Sequence, residues 1–576
     1  MNTIMNAVIG IFDGTHDAGA CIIKDGTVIA ACDEERLTRI KSQGGFPKKS
    51  VEWCLQHTGL IWSEIDHVAM AGLINPNPGL RLFRKQQKHW QLDNGQFYAP
   101  NQWWSNWLQF HSPFPKLQYT NTLVWSQYKG LMEKRLSKQL KQLFQSHMPS
   151  VELYDHHHSH AASAYFTSGL TNALVVVADG VGDGIALSIW TGNAQTHALQ
   201  KRLDIPFPHS LGLLYASFTG YLGYKPFRHE GKLTGLSAHG DATEIKVEHP
   251  FKGPFPHRRL IPNLPLYNWL KQFEEYSPAN IAAWLQRVIE QEMLGILGWA
   301  YTQFGDRPLV MAGGLMANVA LNQTIVETIA PSKFFVFPNM GDAGLAVGAG
   351  YLSGHKHFQW TPSKISSVYW GPKIEANVPL QNKDVSIGEP LVASKILDLA
   401  LEALYQRQIV ARAVGRMEYG PRALGHRSIL CSANDPTIND KLNRLLNRSD
   451  IMPFAPIMRG ETASQWLEIP DASWTAMEWM TITVQAKAAF IERCPAVVHV
   501  DGSLRPQLVY RDKHPVLWEL LARFEKKTGE PALINTSFNR HEEPIVCTTN
   551  DAIQAFLESN LDALWLENYW IERKDA

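Results

Sequence analysis

At about 100–200 residues per domain, a chain of 576 residues has room for more than one folding unit. Its 54 Lys and Arg cancel its 54 Asp and Glu, so no net field gathers a nucleic acid or an acidic membrane, and neither is expected as a partner. No window approaches the ~18 uninterrupted apolar residues of a membrane-spanning helix, and the six cysteines lie scattered without a C-x-x-C pair. That pattern suits a reducing compartment, and with no basic stretch before the first apolar run the expected location is the cytoplasm.

Along the chain, Val8–Phe12 predicts a strand, followed by a small-residue loop and a hairpin of Ala20–Ile23 and Thr27–Ala31 about the turn Asp25-Gly26. An α/β unit opens there. The pattern returns at Leu174–Ala178, which runs into Asp179-Gly180-Val181-Gly182-Asp183-Gly184 and resumes at Ile185–Trp190. A helix is predicted over about 280–301, then short strands at Leu309–Met311 and Phe334–Phe337 that lead into Gly313-Gly314 and Gly341-Asp342-Ala343-Gly344. Between the two repeats, residues 88–128 gather five of the chain's 19 Trp with other aromatics. A satellite core under an insertion and a wall for a substrate both fit that composition. Periodicity weakens from Ser353 to Gly388, which divides the chain into a first domain over 1–360 and a second over 361–576. The second again reads as mixed α/β, with a helix at Ile396–Arg407, a strand at Ile409–Val414 and a last helix near Asp551–Ser559.

Three clusters point to chemistry. In Asp155-His156-His157-His158-Ser159-His160, helical spacing puts His156 and His160 on one face, where two imidazoles can grip one cation. Asp179 and Asp342, each ending a predicted strand, could complete a His₂Asp₂ shell suited to Fe(II), Mn(II) or Zn(II). Gly10–Ala18 and Asp179–Gly184 are small-residue turns whose N–H groups could clasp phosphate, and His16 is the one group of its loop that titrates near neutrality, a general-base candidate toward an alcohol. The string Gly415–Ser428, joined by Arg448, Arg505 and Asn535-Thr536-Ser537-Phe538-Asn539, sets arginines among glycines and predicts an anion pocket.

Taken in order, His16-Asp17, Glu34-Glu35-Arg36, Asp155 through His160, Glu230-Gly231-Lys232, Gly313-Gly314, Gly420-Pro421-Arg422-Ala423-Leu424-Gly425, Pro453-Phe454-Ala455-Pro456, Val500-Asp501-Gly502 with Arg505, and Asn535–Asn539 resemble the O-carbamoyltransferases of antibiotic and nodulation-factor biosynthesis. The resemblance spans nearly the whole chain. It implies a first domain of actin/Hsp70-like ATPase fold and a second, α/β domain like threonylcarbamoyl-adenylate synthase. It implies that ATP, with Mg(II), and carbamoyl phosphate give carbamoyl-adenylate in the second domain, and that the carbamoyl group then passes to a hydroxyl of a small natural product in the first. Carried over by residue, His156, His160, Asp179 and Asp342 would hold Fe(II) or another divalent metal, and His16 would sit beside the acceptor hydroxyl. Lys41, Glu230, Lys232, Gly313, Gly314 and Asn318 would surround the nucleotide. Arg422, Arg427, Arg448, Arg505, Asn535 and Ser537 would bind carbamoyl phosphate and the ATP phosphates.

The chain departs from many relatives in carrying Leu446-Asn447-Arg448 where they place a lysine, so Arg448 is expected to substitute. The aromatic stretch 88–128 is the candidate for acceptor specificity and for a homodimer contact. A sugar-kinase-like ATPase, which would yield ADP, and a metal- and nucleotide-binding regulator stand as alternatives on the same residues.

Overall fold

The computed structural model describes residues 6–73, 122–146, 148–261, 266–375, 385–447 and 453–573. A five-stranded sheet opens the chain: β1 (Ala7–Phe12), β2 (Gly19–Lys24), β3 (Thr27–Asp33), β4 (His67–Ala71) and β5 (Ser150–Tyr154), in the order β3-β2-β1-β4-β5. Strands β1 to β3 form an antiparallel meander, and β4 and β5 add in parallel. Every residue of β1 is buried, as expected of an apolar run covered on both faces. The helix α1 (His156–Ser168) follows β5, started by Asp155, whose carboxylate accepts the His158 N–H at 2.8 Å as an N-cap.

A second sheet repeats the first. It comprises β6 (Leu174–Gly182), β7 (Ile185–Gly192), β8 (Leu199–Pro206), β9 (Leu309–Ala312) and β10 (Phe334–Val336), ordered β10-β9-β6-β7-β8. The meander and the two parallel additions recur, and α2 (Pro278–Phe304) runs between β8 and β9. After β10 comes α3 (Leu345–Phe358), the counterpart of α1. The repeat visible in the two Asp-Gly loops is therefore a duplication of a whole sheet with its following helix, the doubled arrangement expected of an actin/Hsp70-like domain.

The two copies share a core. Val8 and Phe12 of β1, Val175 and Val177 of β6, Ala161 of α1 and Ala346 of α3 belong to one buried cluster. The helices cross so closely that a Cβ on Gly348 would lie 1.7 Å from the Ser159 carbonyl oxygen. Helix α3 also runs past Ser353, and Trp360, Val368 and Trp370 bury into the same cluster, so the stretch with weak periodicity is anchored by its aromatics.

Beyond it stand β11 (Val385–Ile387), α4 (Ala393–Tyr405), β12 (Val410–Ala413), β13 (Arg427–Ser432), β14 (Ala455–Arg459), β15 (Gln507–Val509), α5 (Pro515–Thr528), β16 (Ala532–Ser537), α6 (Thr549–Glu558), β17 (Ala563–Leu566) and β18 (Tyr569–Arg573). Their sheet has eight strands in the order β11-β18-β17-β12-β13-β16-β14-β15. Strand β16 is central, and its register sets Asn535 between Leu430 and Ala455. The aromatic stretch 88–128 lies outside the described residues as far as Asn121, and its last residues open the helix Thr122–Phe144. Among the described residues no helix is long and apolar enough to cross a membrane.

Replacing Gly348 by Val forces α1 and α3 apart. We expect a loss of about 1–3 kcal/mol in denaturant unfolding, with no comparable loss for Gly298→Ala, an exposed helical position where a Cβ meets nothing within 4 Å.

A metal-type cluster and an anion pocket in one cavity

Helical periodicity sorts the four histidines of α1. His156 and His160 face the ends of β6 and β10, whereas His157 turns to β7, its Nε2 3.0 Å from the Ile185 carbonyl and its Nδ1 3.1 Å from Ser188 Oγ. His158 stacks on Trp190, ring centroids 4.6 Å apart. Burial pushes His157 down to about 3 and His158 down to about 4, so both are neutral. Gly182 makes room for the His156 ring, since a Cβ there would lie 2.0 Å from it.

Both aspartates come from the second sheet, one from its first strand and one from the turn that follows its last. Asp179 lies in β6, and Asp342 precedes α3. His156 Nε2 is 3.3 Å from Asp179 Oδ2 and 3.5 Å from Asp342 Oδ1, and His160 Nε2 is 3.3 Å from Asp342 Oδ1. All four donor atoms lie within 4.8 Å of one another. His156 Nδ1 and both nitrogens of His160 are buried without a hydrogen-bond partner. Burial opposes charge on His156, but the Asp342 and Asp179 carboxylates overcome it and hold the ring well above its ordinary pKa. Asp342, likewise against burial, is held well below the carboxylate range by His156 and His160. Two carboxylates and two imidazoles, enclosed and short of donors, fit a divalent cation with mixed N and O ligation.

The second sheet supports this cluster through its backbone. Gly313 takes φ +98°, open to glycine, where a Cβ would lie 2.2 Å from the Ala178 carbonyl. That close approach aims the Gly314 N–H at Asp179 Oδ1, 3.0 Å away. His16, on the loop after β1, hydrogen-bonds Asp17 Oδ2 through Nδ1 at 3.1 Å and turns Nε2 to within 3.9 Å of Asp342. Burial lowers its pKa, but Asp17, Asp342 and Asp179 outweigh that and raise it to about 9.

One cavity of about 650 Å³ runs from this cluster to the eight-stranded sheet. His16, Asp179 and Asp342 line one end, and Arg422, Arg505, Asn535 and Ser537 line the other. Lys41, Glu230, Lys232, Gly314 and Asn318 also line the cavity, whereas Gly313 does not. Lys41 Nζ is 3.2 Å from Glu35 Oε1; Asn318 caps its helix through the Leu321 N–H at 3.0 Å and donates to Gln286 Oε1 at 2.8 Å.

Arg422 and Arg505 have no carboxylate partner among the described residues. Burial lowers Arg422 to about 10, and burial together with the Arg422 charge holds Arg505 well below its ordinary value. Two neighbouring guanidiniums without a carboxylate partner have the chemistry to hold an anion. Asn535 holds the neighbouring backbone, its amide donating to the Ala423 carbonyl at 3.0 Å and to Gln507 Oε1 at 2.6 Å, while its Oδ1, an acceptor, is buried without a partner.

Arg427 departs from expectation. It is wholly buried outside the cavity, and its guanidinium donates to the carbonyls of Val414 at 2.6 Å, Gly415 at 3.1 Å and Pro372 at 3.2 Å. It braces the loop that presents Arg422. Glu418 braces the same loop, accepting the N–H groups of Leu424 at 2.8 Å and His426 at 2.7 Å. Sequence reasoning left Glu418 without a role, although an acid inside a glycine-rich run is the signal of such a backbone anchor. Arg36 was also unassigned; it lines the cavity and donates to the Gly420 carbonyl at 3.0 Å, tying the first sheet to that loop. Arg448 lies outside the described residues.

The family model described as Carbamoyltransferase N-terminus matches residues 7–252 and 263–351, and the one described as Carbamoyltransferase C-terminus matches residues 401–573. The chain is 30% identical to nodulation protein NolNO of Sinorhizobium fredii, over 97% of this chain and 79% of that protein. It is 29% identical to an uncharacterized protein, sll1178, of Synechocystis sp., over 98% of this chain and 96% of the relative. Among solved structures it is similar to full-length HypF in its phosphate- and nucleotide-bound form, at 12% identity and a TM-score of 0.34, over 62% of this chain and 47% of that one.

The two arginines of the Gly415–Ser428 loop separate in a stability measurement. Arg427→Met, which strips three buried carbonyls of their donor, is expected to cost about 3 kcal/mol or more in denaturant unfolding. Arg422→Met, which removes a desolvated charge beside another, is expected to leave stability within about 1 kcal/mol or raise it.

Proposed function

The chain belongs to the carbamoyltransferase family, and we propose that it is an ATP-dependent O-carbamoyltransferase that works through carbamoyl-adenylate. The observation that carries this reading is one cavity lined both by Arg422 and Arg505, which have no carboxylate partner among the described residues, and by His16, Asp179 and Asp342, the part of the His₂Asp₂ cluster that reaches it. Its volume of about 650 Å³ suits small molecules and would keep a labile mixed anhydride from bulk water.

At the Arg422 and Arg505 end, the guanidiniums bind the phosphate of carbamoyl phosphate and the phosphates of ATP, with Asn535 and Ser537 beside them. Carbamoyl phosphate, ATP and water then yield carbamoyl-adenylate, pyrophosphate and phosphate. At the other end an alcohol attacks the carbamoyl carbon and AMP leaves. His16 takes up the hydroxyl proton at Nε2 in its neutral form, with Nδ1 donating to Asp17. That neutral form is favoured when a divalent ion on Asp342 and Asp179 offsets two of the carboxylates that raise the ring to about 9. Lys41, Glu230, Lys232, Gly314 and Asn318 position the nucleotide between the two ends. His156, His160, Asp179 and Asp342 would hold Fe(II) or another divalent ion, which when bound polarises the carbamoyl oxygen as a Lewis acid. The acceptor is a small natural-product hydroxyl, as the resemblance to antibiotic and nodulation-factor enzymes implies.

Incubation with ATP, Mg(II), carbamoyl phosphate and an Fe(II) salt is expected to release pyrophosphate and form carbamoyl-adenylate; folded protein that forms neither overturns the proposal, and ADP in their place favours the kinase alternative. His16→Asn should keep adenylate formation while transfer falls by about 10²–10⁴-fold, whereas equal loss of both would contradict its role. Elemental analysis of protein purified without added metal should find a divalent ion that is lost in His160→Ala.

A further inference from the structure

Apart from the two centres already described, the cavity wall holds a third meeting of charges, where the two halves of the chain touch. Lys225, Arg228 and His229 stand in the turn before the helix Glu230–Ser237, and all three reach Glu542 in the loop after β16. Lys225 Nζ is 2.8 Å and Arg228 Nη1 is 3.1 Å from Glu542 Oε2, and His229 Nε2 is 2.9 Å from Oε1. The Lys225 N–H donates to His229 Nδ1 at 3.3 Å, so the ring proton sits on Nε2 and the imidazole donates to the carboxylate without needing charge.

Three features set this cluster apart from a simple strut. Two full positive charges share one carboxylate, and no other acid pairs with either cation among the described residues. Both carboxylate oxygens are engaged by N–H donors, the way phosphate oxygens are held. Glu542 itself takes φ +65°, a left-handed conformation that residues with a side chain rarely adopt, in a loop closed by the Asn539 amide on the Glu543 carbonyl at 2.7 Å and pinned beyond by Arg39 on the carbonyls of Pro544 at 2.7 Å and Ile545 at 2.6 Å. Arg228, His229 and Glu542 all face the cavity that contains Arg422 and Arg505.

We propose that Arg228 and His229 on the cavity wall, backed by Lys225, form a second phosphate site, for the phosphate chain of ATP or the pyrophosphate cut from it, and that Glu542 is its built-in occupant, displaced when that chain enters. This rests on the reading of the cavity as ATP-using. A diphosphate brings more negative charge and more acceptor oxygens than one carboxylate, so it satisfies the excess cation that Glu542 leaves. Displacement also breaks the contact between the 225–229 turn and the 539–543 loop, so filling the site would loosen the cavity wall.

The test is calorimetric titration of the full-length protein with pyrophosphate, ATP and inorganic phosphate, in the native sequence, Glu542→Gln and Arg228→Gln. With its internal competitor neutralised, Glu542→Gln should bind pyrophosphate or ATP about 10-fold more tightly, and Arg228→Gln should bind about 10-fold less tightly or worse. Tightening for ATP alone assigns the site to the bound nucleotide, and equal tightening for pyrophosphate assigns it to the leaving product; either supports the proposal. Unchanged or weaker binding of both by folded Glu542→Gln, checked by thermal unfolding, overturns it. A second measurement uses the native protein: amide exchange in residues 539–546 should rise when pyrophosphate saturates it, and no rise counts against displacement. Pyrophosphate binding of this kind without carbamoyl-adenylate formation would remove the proposed reaction and keep the site, whereas adenylate formation with unchanged binding in Glu542→Gln would do the reverse.

Discussion

The crossing of α1 and α3 is the constraint on which the candidate site depends. Each helix follows the last strand of one copy of the duplicated sheet, and the contact at Gly348 and Ser159 leaves no space for a side chain between them. That proximity brings the first turn of α1, with His156 and His160, against Asp342 at the start of α3, and β6 adds Asp179 from below. Bare carboxylates and imidazoles at such distances are costly in a protein interior unless a cation is shared among them. The packing of small residues and the chemistry of the cluster are consequently one problem with one solution.

The opposite end of the cavity meets a related difficulty in another way. Arginines in a glycine-rich loop need their backbone held if they are to face one direction, and the loop from Gly415 to Ser428 contains its own anchors. Glu418 collects the N–H groups of Leu424 and His426, Arg427 collects carbonyls, and Arg422 lines the cavity with Arg505. Two residues of identical chemistry thus do opposite work. One is satisfied by several backbone carbonyls and stabilises the fold, while the other makes a single long contact, to the Ala317 carbonyl at 3.4 Å, and has no carboxylate partner among the described residues. Arg36 and the cluster around Glu542 join this half to the first sheet, so the cavity wall is made of contacts between parts distant in sequence.

Much of this was legible in particular residues. The return of strand, Asp-Gly loop and strand at 174–190 announced a duplication, because a sheet that must bury both faces needs similar apolar runs and similar turns in each copy. The i, i+4 spacing of His156 and His160 identified the pair that shares a face, and their neighbours His157 and His158 went to core contacts as the same period requires. The helices predicted at 280–301 and 396–407 appear as Pro278–Phe304 and Ala393–Tyr405, displaced only at their ends. The arginines were a different matter. Nothing local distinguishes Arg427, whose acceptors include Pro372, 55 residues away, from Arg422.

The sequence by itself determined which residues carry charge, which can ligate, and which segments must be buried, since those are properties of side chains and of local periodicity. Tertiary structure alone decided which of them meet. Asp179 comes from β6 and Asp342 from the turn before α3, Arg422 and Arg505 from different loops, and Lys225 and Glu542 from opposite halves of the chain. Whether a charge is matched by backbone, by another side chain or by nothing depends on distances of 3–4 Å, and those are set only when separate elements pack.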